Sequence, residues 1–134
     1  MRAPGAFRLR AVPWRKSGRS FGMERYKVVV TDAAKADIRA AARYIAVELR
    51  QPDTAEKLLD RFDAEIASLE TMPQSHGLVH DDDLAGRGIR MTMAGNYMLF
   101  FLADRSESTV TILRVLHGRR DWIGILTGQL ERGS

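Results

Sequence analysis

The sequence predicts an α+β domain in which a helical hairpin packs on a small antiparallel sheet, in the order β-α-α-β-β-β-α. Two adjacent stretches carry apolar residues at steps of three and four and are separated by a single proline-containing break. The second half consists of three strand-like stretches joined by short polar turns. A length of 134 residues suits one core better than two.

In chain order, Tyr26, Val28 and Val30 alternate with Lys27, Val29 and Thr31, the pattern of a half-buried strand. Thr31 or Asp32 can cap a helix whose inner stripe is Ala34, Ile38, Ala41, Ala42, Ile45 and Leu49. Pro52 and Asp53 interrupt it, and Asp53 with Glu56 resembles a capping box. The second helix turns Ala55, Leu58, Leu59, Phe62, Ile66 and Leu69 inward, and so short a break forces the pair antiparallel. Pro73 and Gly77 end it. Ile89, Met91 and Met93 alternate with polar residues, Ala94-Gly95-Asn96 offers a tight turn, and Tyr97 to Leu102 form an unbroken apolar run expected of a strand covered on both faces. Asp104 to Ser108 make a polar turn, Thr109 to Leu116 a further strand, and Arg119 to Leu130 a terminal helix weakened by Gly124 and Gly128. No internal repeat is visible.

Composition narrows the function classes. The chain has no cysteine, which excludes disulfides and Cys-based zinc sites, and its apolar runs are too short to span a membrane. The formal charge is +4, but residues 1–22 hold six basic residues and no acidic one. Without them 15 Lys+Arg face 17 Asp+Glu, so the high pI cannot by itself support binding to phosphate backbones. Residues 1–22 are expected to form a flexible basic leader, or residues preceding a natural start at Met23, and residues 23–134 the folded domain. A secretory signal is not expected, since no apolar segment follows the charges.

Several segments together resemble the RelE/ParE superfamily of type II toxin–antitoxin systems. Ile112-Leu113-Arg114-Val115-Leu116-His117-Gly118-Arg119-Arg120-Asp121-Trp122 is similar to the ending common among ParE-type toxins. Gly95-Asn96-Tyr97-Met98-Leu99-Phe100-Phe101 resembles the hairpin strand before it, and Leu69-Glu70-Thr71-Met72-Pro73 the exit from the second helix. Tyr26-Lys27-Val28, Ala36-Asp37-Ile38 and Tyr44-Ile45 match the opening, so the resemblance runs colinearly over residues 25–123. It implies a small cytoplasmic toxin of the plasmid-stabilisation kind, neutralised by a cognate antitoxin protein and needing no cofactor. Neither membrane attachment nor specific DNA binding by the toxin alone is implied. RelE-like members cleave messenger RNA in the ribosomal A site, whereas ParE-like members poison DNA gyrase without established chemistry of their own.

RNA cleavage through the 2′-hydroxyl requires a base, an acid and fixed cations at the reacting phosphate. In RelE-like cleavers the residue directly after the hairpin Gly-x-Tyr is typically an arginine. Here it is Met98, and losing one such preorganised donor costs about 10²–10³ in rate. The lysines that precede this strand in some cleavers have no match in Gly88-Ile89-Arg90-Met91, and a late tyrosine is replaced by Trp122 or its neighbours. The resemblance therefore implies an inhibitor of DNA gyrase with no catalytic residues. A ribosome-dependent mRNA endonuclease, an enzyme, is the competing reading.

The candidates for target binding and toxicity are Arg90, Arg114, His117, Arg119, Arg120 and Trp122. His117 stands near a histidine found in other mRNA-cleaving relatives. The competing expectation is that His117 and Asp121 brace the turn after the strand while Arg119 and Arg120 are solvated. Arg114 interrupts the apolar set Val110, Ile112 and Leu116, so either a carboxylate such as Asp37 or Asp121 pairs with it or that end of the sheet opens onto a partner. Arg90 shares a polar strand face with Thr92 and should be exposed. Asp81, Asp82 and Asp83 with His76 and His80 have metal-ligand chemistry, but consecutive carboxylates diverge, and a solvated acidic loop is the expectation.

Overall fold

The computed structural model describes residues 25–71 and 73–133, so the expected basic leader, residues 1–22, lies outside the described residues. Strand β1 (Lys27–Val30) is followed by helix α1 (Asp32–Arg43), which continues as a π-helical turn over Tyr44–Glu48, and by helix α2 (Pro52–Ser68). A 3₁₀ turn (Pro73–Ser75) and the short helix α3 (Asp82–Gly86) lead into strands β2 (Arg90–Ala94), β3 (Tyr97–Asp104) and β4 (Thr109–His117), and helix α4 (Trp122–Gly133) closes the chain.

The α+β class and the element order are as expected, and the sheet runs β1-β4-β3-β2. It is not wholly antiparallel. The β2–β3–β4 meander is, but β1 joins β4 in parallel, Lys27 opposite Thr109 and Val30 opposite Ile112. The hairpin of α1 and α2 carries the chain from β1 across one face before the meander begins, and this connection allows a parallel pairing.

Alternation along β3 supplies two cores. Leu99 and Phe101 meet Ile38, Phe62, Ile66 and Leu69 of the helical hairpin. Met98 and Phe100 meet Leu84, Ile89 and Leu126 on the opposite face. Ile38, Phe62, Ile66, Leu99 and Ile112 are buried, and Ile45 and Tyr97 pack against the first core from its margin. The apolar run of β3 thus records burial on both faces.

Thr31 caps α1, accepting a hydrogen bond from the Ala34 N–H at 3.1 Å while its own hydroxyl donates to the Ile112 carbonyl at 2.9 Å. Helix α2 begins one residue before the expected capping box. Pro52 takes the first position, where its missing N–H costs nothing, and Asp53 lies in the first turn, where its charge complements the helix dipole. Leu49 does not continue the inner stripe. The wider π turn breaks the helical phase, and Leu49 is 45% exposed. The acidic run is not a loop either: Asp81 accepts from the Leu84 N–H at 3.1 Å and caps α3, with Asp82 and Asp83 in its first turn. Glu70, 3% exposed, pairs with Arg25 beside the first strand, and Thr92 is buried against α2, where its hydroxyl donates to Glu65 at 2.7 Å.

Candidate functional site

Three elements converge at the end of the sheet where β4 stops: the β2–β3 turn, the outer side of α1 and the segment leading into α4. Gly95 has φ of +63°, a value that glycine adopts freely and that closes the two-residue turn between Ala94 and Tyr97. The carbonyl of the next residue, Asn96, accepts the Gly118 N–H at 2.9 Å and fixes the turn to the end of β4.

His117, the last residue of β4, sits opposite Tyr97, with ring centroids 5.3 Å apart in an edge-to-face arrangement. Its Nδ1 accepts the Arg119 N–H at 3.2 Å, and its carbonyl accepts the Arg120 N–H at 2.9 Å. That contact occupies Nδ1 and leaves Nε2 as the second ring nitrogen. Asp121 caps α4 by accepting the Gly124 N–H at 3.2 Å. A Cβ on residue 124 would come within 2.6 Å of that carboxylate, so a larger residue there would have to displace the capping side chain. His117 and Asp121 therefore brace the turn, and Arg119 and Arg120 are exposed beside it.

Of the two expectations for Arg114, the carboxylate partner holds, and the partner is Asp37. Arg114 Nε and Nη2 donate to the two Asp37 oxygens at 2.7 and 2.8 Å, and the Val115 N–H donates to the same carboxylate at 2.9 Å. The pairing is possible because β4 bulges: Phe100 faces Arg114 but Phe101 faces Ile112, which leaves Leu113 as an extra residue. Val110, Ile112 and Val115 then face the helical hairpin while Leu113 and Leu116 face away, so Arg114 is not part of the apolar set assumed from strict alternation. With β1 ending opposite Ile112, Asp37 satisfies a backbone N–H of β4 that has no strand beside it. Asp37 also holds the Arg114 guanidinium even more firmly protonated than usual, chiefly through its hydrogen bonds, against the opposing effect of burial.

Arg90 is not the exposed cation expected. It is half-buried, and its Nη1 donates to the His76 carbonyl at 2.6 Å, which pins the turn before α3. It also lies opposite Phe101, four residues along β3 from Tyr97, roughly 13 Å at strand rise. Trp122 stacks on Phe100 at 5.2 Å with an interplanar angle of 21° and anchors α4 to the sheet. Met98 is 7% exposed on the same face. Together with Leu78, Val79, Met91 and Phe100 they line a largely apolar recess of about 360 Å³. Among the described residues no group of three or more His, Asp or Glu is placed to hold a metal ion. His76 instead packs edge-on against Phe101 at 6.0 Å.

A second recess, about 190 Å³, lies between α1 and the end of the sheet, lined by Asp37, Ala40, Tyr44, Tyr97, His117 and Arg120 among others. Tyr44 and Tyr97 did not stand out as site residues in the sequence. Tyr97 reads as core from its apolar neighbours, and Tyr44 as one polar-face residue of a regular helix. Burial first, and the neighbouring Tyr44 second, raise the Tyr97 hydroxyl above its ordinary pKa, so it remains protonated.

A helical hairpin over a four-stranded sheet, ending in a cationic turn braced by its own backbone, defines the class: a small α+β protein of the RelE/ParE-like fold. The family model for the ParE toxin of the type II toxin–antitoxin system parDE matches residues 28–122, and the chain belongs to that family. Among solved structures, a chain of the chromosomal ParDE toxin–antitoxin system of P. aeruginosa is 18% identical with a TM-score of 0.58, over 70% of this chain and 97% of that one, a likeness of fold. A chain of the RelBE2 toxin–antitoxin complex of Mycobacterium tuberculosis is 26% identical with a TM-score of 0.50, over 71% of this chain and 93% of that one. No curated protein matches the sequence. No helix among the described residues is long and apolar enough to cross a membrane.

Proposed function

We propose that this ParE-family toxin acts in the cytoplasm by binding DNA gyrase, without chemistry of its own, and that a cognate antitoxin protein holds it inactive. The observation that carries the reading is the position of Met98. Its thioether lies in an apolar layer beneath Trp122, where an mRNA-cleaving relative would need a cation facing the phosphate. The solvated turn at the end of β4, with Arg119 and Arg120 beside His117, is the surface offered to the target. Arg90, Arg114 and Trp122 are already engaged with carbonyls, a carboxylate and an aromatic ring, and serve the fold.

Purified toxin is expected to block gyrase supercoiling or trap its cleaved-DNA complex and to leave ribosome-bound messenger RNA intact. Replacing Arg119 and Arg120 together by Ala should weaken that inhibition without lowering the melting temperature, since both side chains are exposed. Codon-specific A-site cleavage by the wild type, abolished by His117→Ala, would overturn the proposal in favour of an endonuclease.

A further inference from the structure

The recess between α1 and the end of the sheet has a chemistry that the turn alone does not. Its wall, around about 190 Å³, includes Tyr44, Tyr97, His117 and Arg120. Each of these side chains can donate a hydrogen bond, and Arg120 is a fixed cation. The Nδ1 of His117 is engaged by the Arg119 N–H, which leaves Nε2 as the ring nitrogen available to a partner. The raised Tyr97 retains its phenolic hydrogen. The single carboxylate in the wall, Asp37, is consumed by a bidentate pairing with Arg114 and by the Val115 N–H, so its charge is cancelled from behind. What remains in the wall is a set of side chains able to donate hydrogen bonds and one cation, Arg120. Beside it the π turn, stepping out of helical register, lifts Tyr44 (53% exposed), Val47 (58%) and Leu49 (45%) into solvent as an apolar shoulder.

From this arrangement we infer that the recess is an anchor site for one carboxylate side chain of the antitoxin, whose neighbouring apolar residues lie on the shoulder formed by Val47 and Leu49. The inference rests on the antitoxin reading above and adds the chemistry by which the partner is held. A carboxylate fits better than the phosphates of a nucleic acid. The recess presents one arginine rather than a track of them, and residues 23–134 carry more acidic than basic groups, which opposes a polyanion but not a single buried carboxylate. An aromatic, donor-lined recess with an apolar rim is also the form in which extended protein segments are anchored. Because Arg120 belongs both to this recess and to the turn offered to gyrase, an antitoxin seated here covers the toxic surface directly.

The test is titration calorimetry of the full-length toxin with the small protein encoded beside it. Wild type is compared with Arg120→Gln, Tyr97→Phe and Tyr44→Phe, each first shown to melt like wild type. Losing one hydrogen bond to a charged group should weaken binding by roughly 10- to 100-fold for Arg120→Gln and Tyr97→Phe. The antitoxin's Asp and Glu residues are then changed singly to Asn or Gln. One position is expected at which the loss does not add to that of Arg120→Gln, the signature of direct contact. Binding of the toxin variants within twofold of wild type, or strict additivity at every acidic position, overturns the carboxylate site while leaving the antitoxin reading intact. Failure of the wild-type pair to bind overturns that reading, and the site with it. A single-stranded RNA oligonucleotide that binds wild type but not Arg120→Gln would reassign the recess to phosphate and likewise overturn the inference.

Discussion

Replacing Asp37 by Ala removes one carboxylate from three donors. Arg114 loses both hydrogen bonds and its counter-charge, and the Val115 N–H is left without its acceptor. Breaking a buried ion pair by deleting one partner costs about 3–5 kcal/mol, because the remaining charge stays desolvated. The side chains here are 18% and 12% exposed, enough for water to reach part of the guanidinium, so the lower end applies, about 3 kcal/mol. With a urea slope of about 1.5 kcal/mol per molar, the denaturation midpoint should fall by about 2 M with no change in slope. Adding Arg114→Met to Asp37→Ala removes the stranded charge. The double variant should therefore recover about 1–2 kcal/mol relative to the sum of the single losses. Additive losses, or a midpoint shift under about 0.5 M for Asp37→Ala alone, would refute the view that this pair replaces a missing strand beside the end of β4.

Phe62 is fully buried and meets the Tyr97 ring edge-on at 5.6 Å, so Phe62→Ala should cost about 3–5 kcal/mol in the same denaturation assay. A midpoint equal to wild type would show that α2 presents a different face. Asp104 orders the β3–β4 turn by accepting from the Ser106 hydroxyl at 2.8 Å and the Glu107 N–H at 3.2 Å, and these bonds hold its carboxyl below the ordinary range. A lowered folded pKa favours the folded state above the unfolded value, and that contribution is lost as pH falls through the folded one. Carbon-detected NMR should find Asp104 titrating below a peptide aspartate, and Ser106→Ala should raise its midpoint. An unchanged midpoint would show that the turn's hydrogen bonds are absent in solution.

Much of the fold was legible where burial imposes a period. The stripes of α1 and α2, and the apolar run of β3, correspond to packed faces, and Thr31 is the cap its hydroxyl suggested. The features that shape the site left weaker traces. The bulge at Leu113 inserts one apolar residue among apolar residues, so strict alternation put Arg114 on the wrong face. The π turn at Tyr44–Glu48 changes helical phase by a single residue within a sequence of ordinary helix formers. Trp122 reads as a surface aromatic because its stacking partner, Phe100, is 22 positions earlier. Arg90 was judged by its strand neighbour Thr92, whose hydroxyl is itself buried by a bond to Glu65. For Trp122 and Arg90 the deciding contact is long-range, and local pattern carries no record of it.

The parallel pairing of β1 with β4 has a consequence in time. Lys27 meets Thr109 only after about 80 further residues have been made, and at 5–20 residues per second that interval is roughly 4–16 s. Until then β1 has no neighbour along its length, and the helical hairpin has only the β2–β3 pair to cover. Nascent chains stalled before Thr109 should be digested by protease at α1 and α2, and resistance there would contradict this order of assembly. The turn that carries Arg119 and Arg120 is held by backbone bonds to His117 at the end of β4, so it takes its place only after β4 has done so. Until β4 has joined the sheet, an unfinished chain lacks the surface proposed to meet the target. An antitoxin already present at that moment meets every new toxin as it completes its fold.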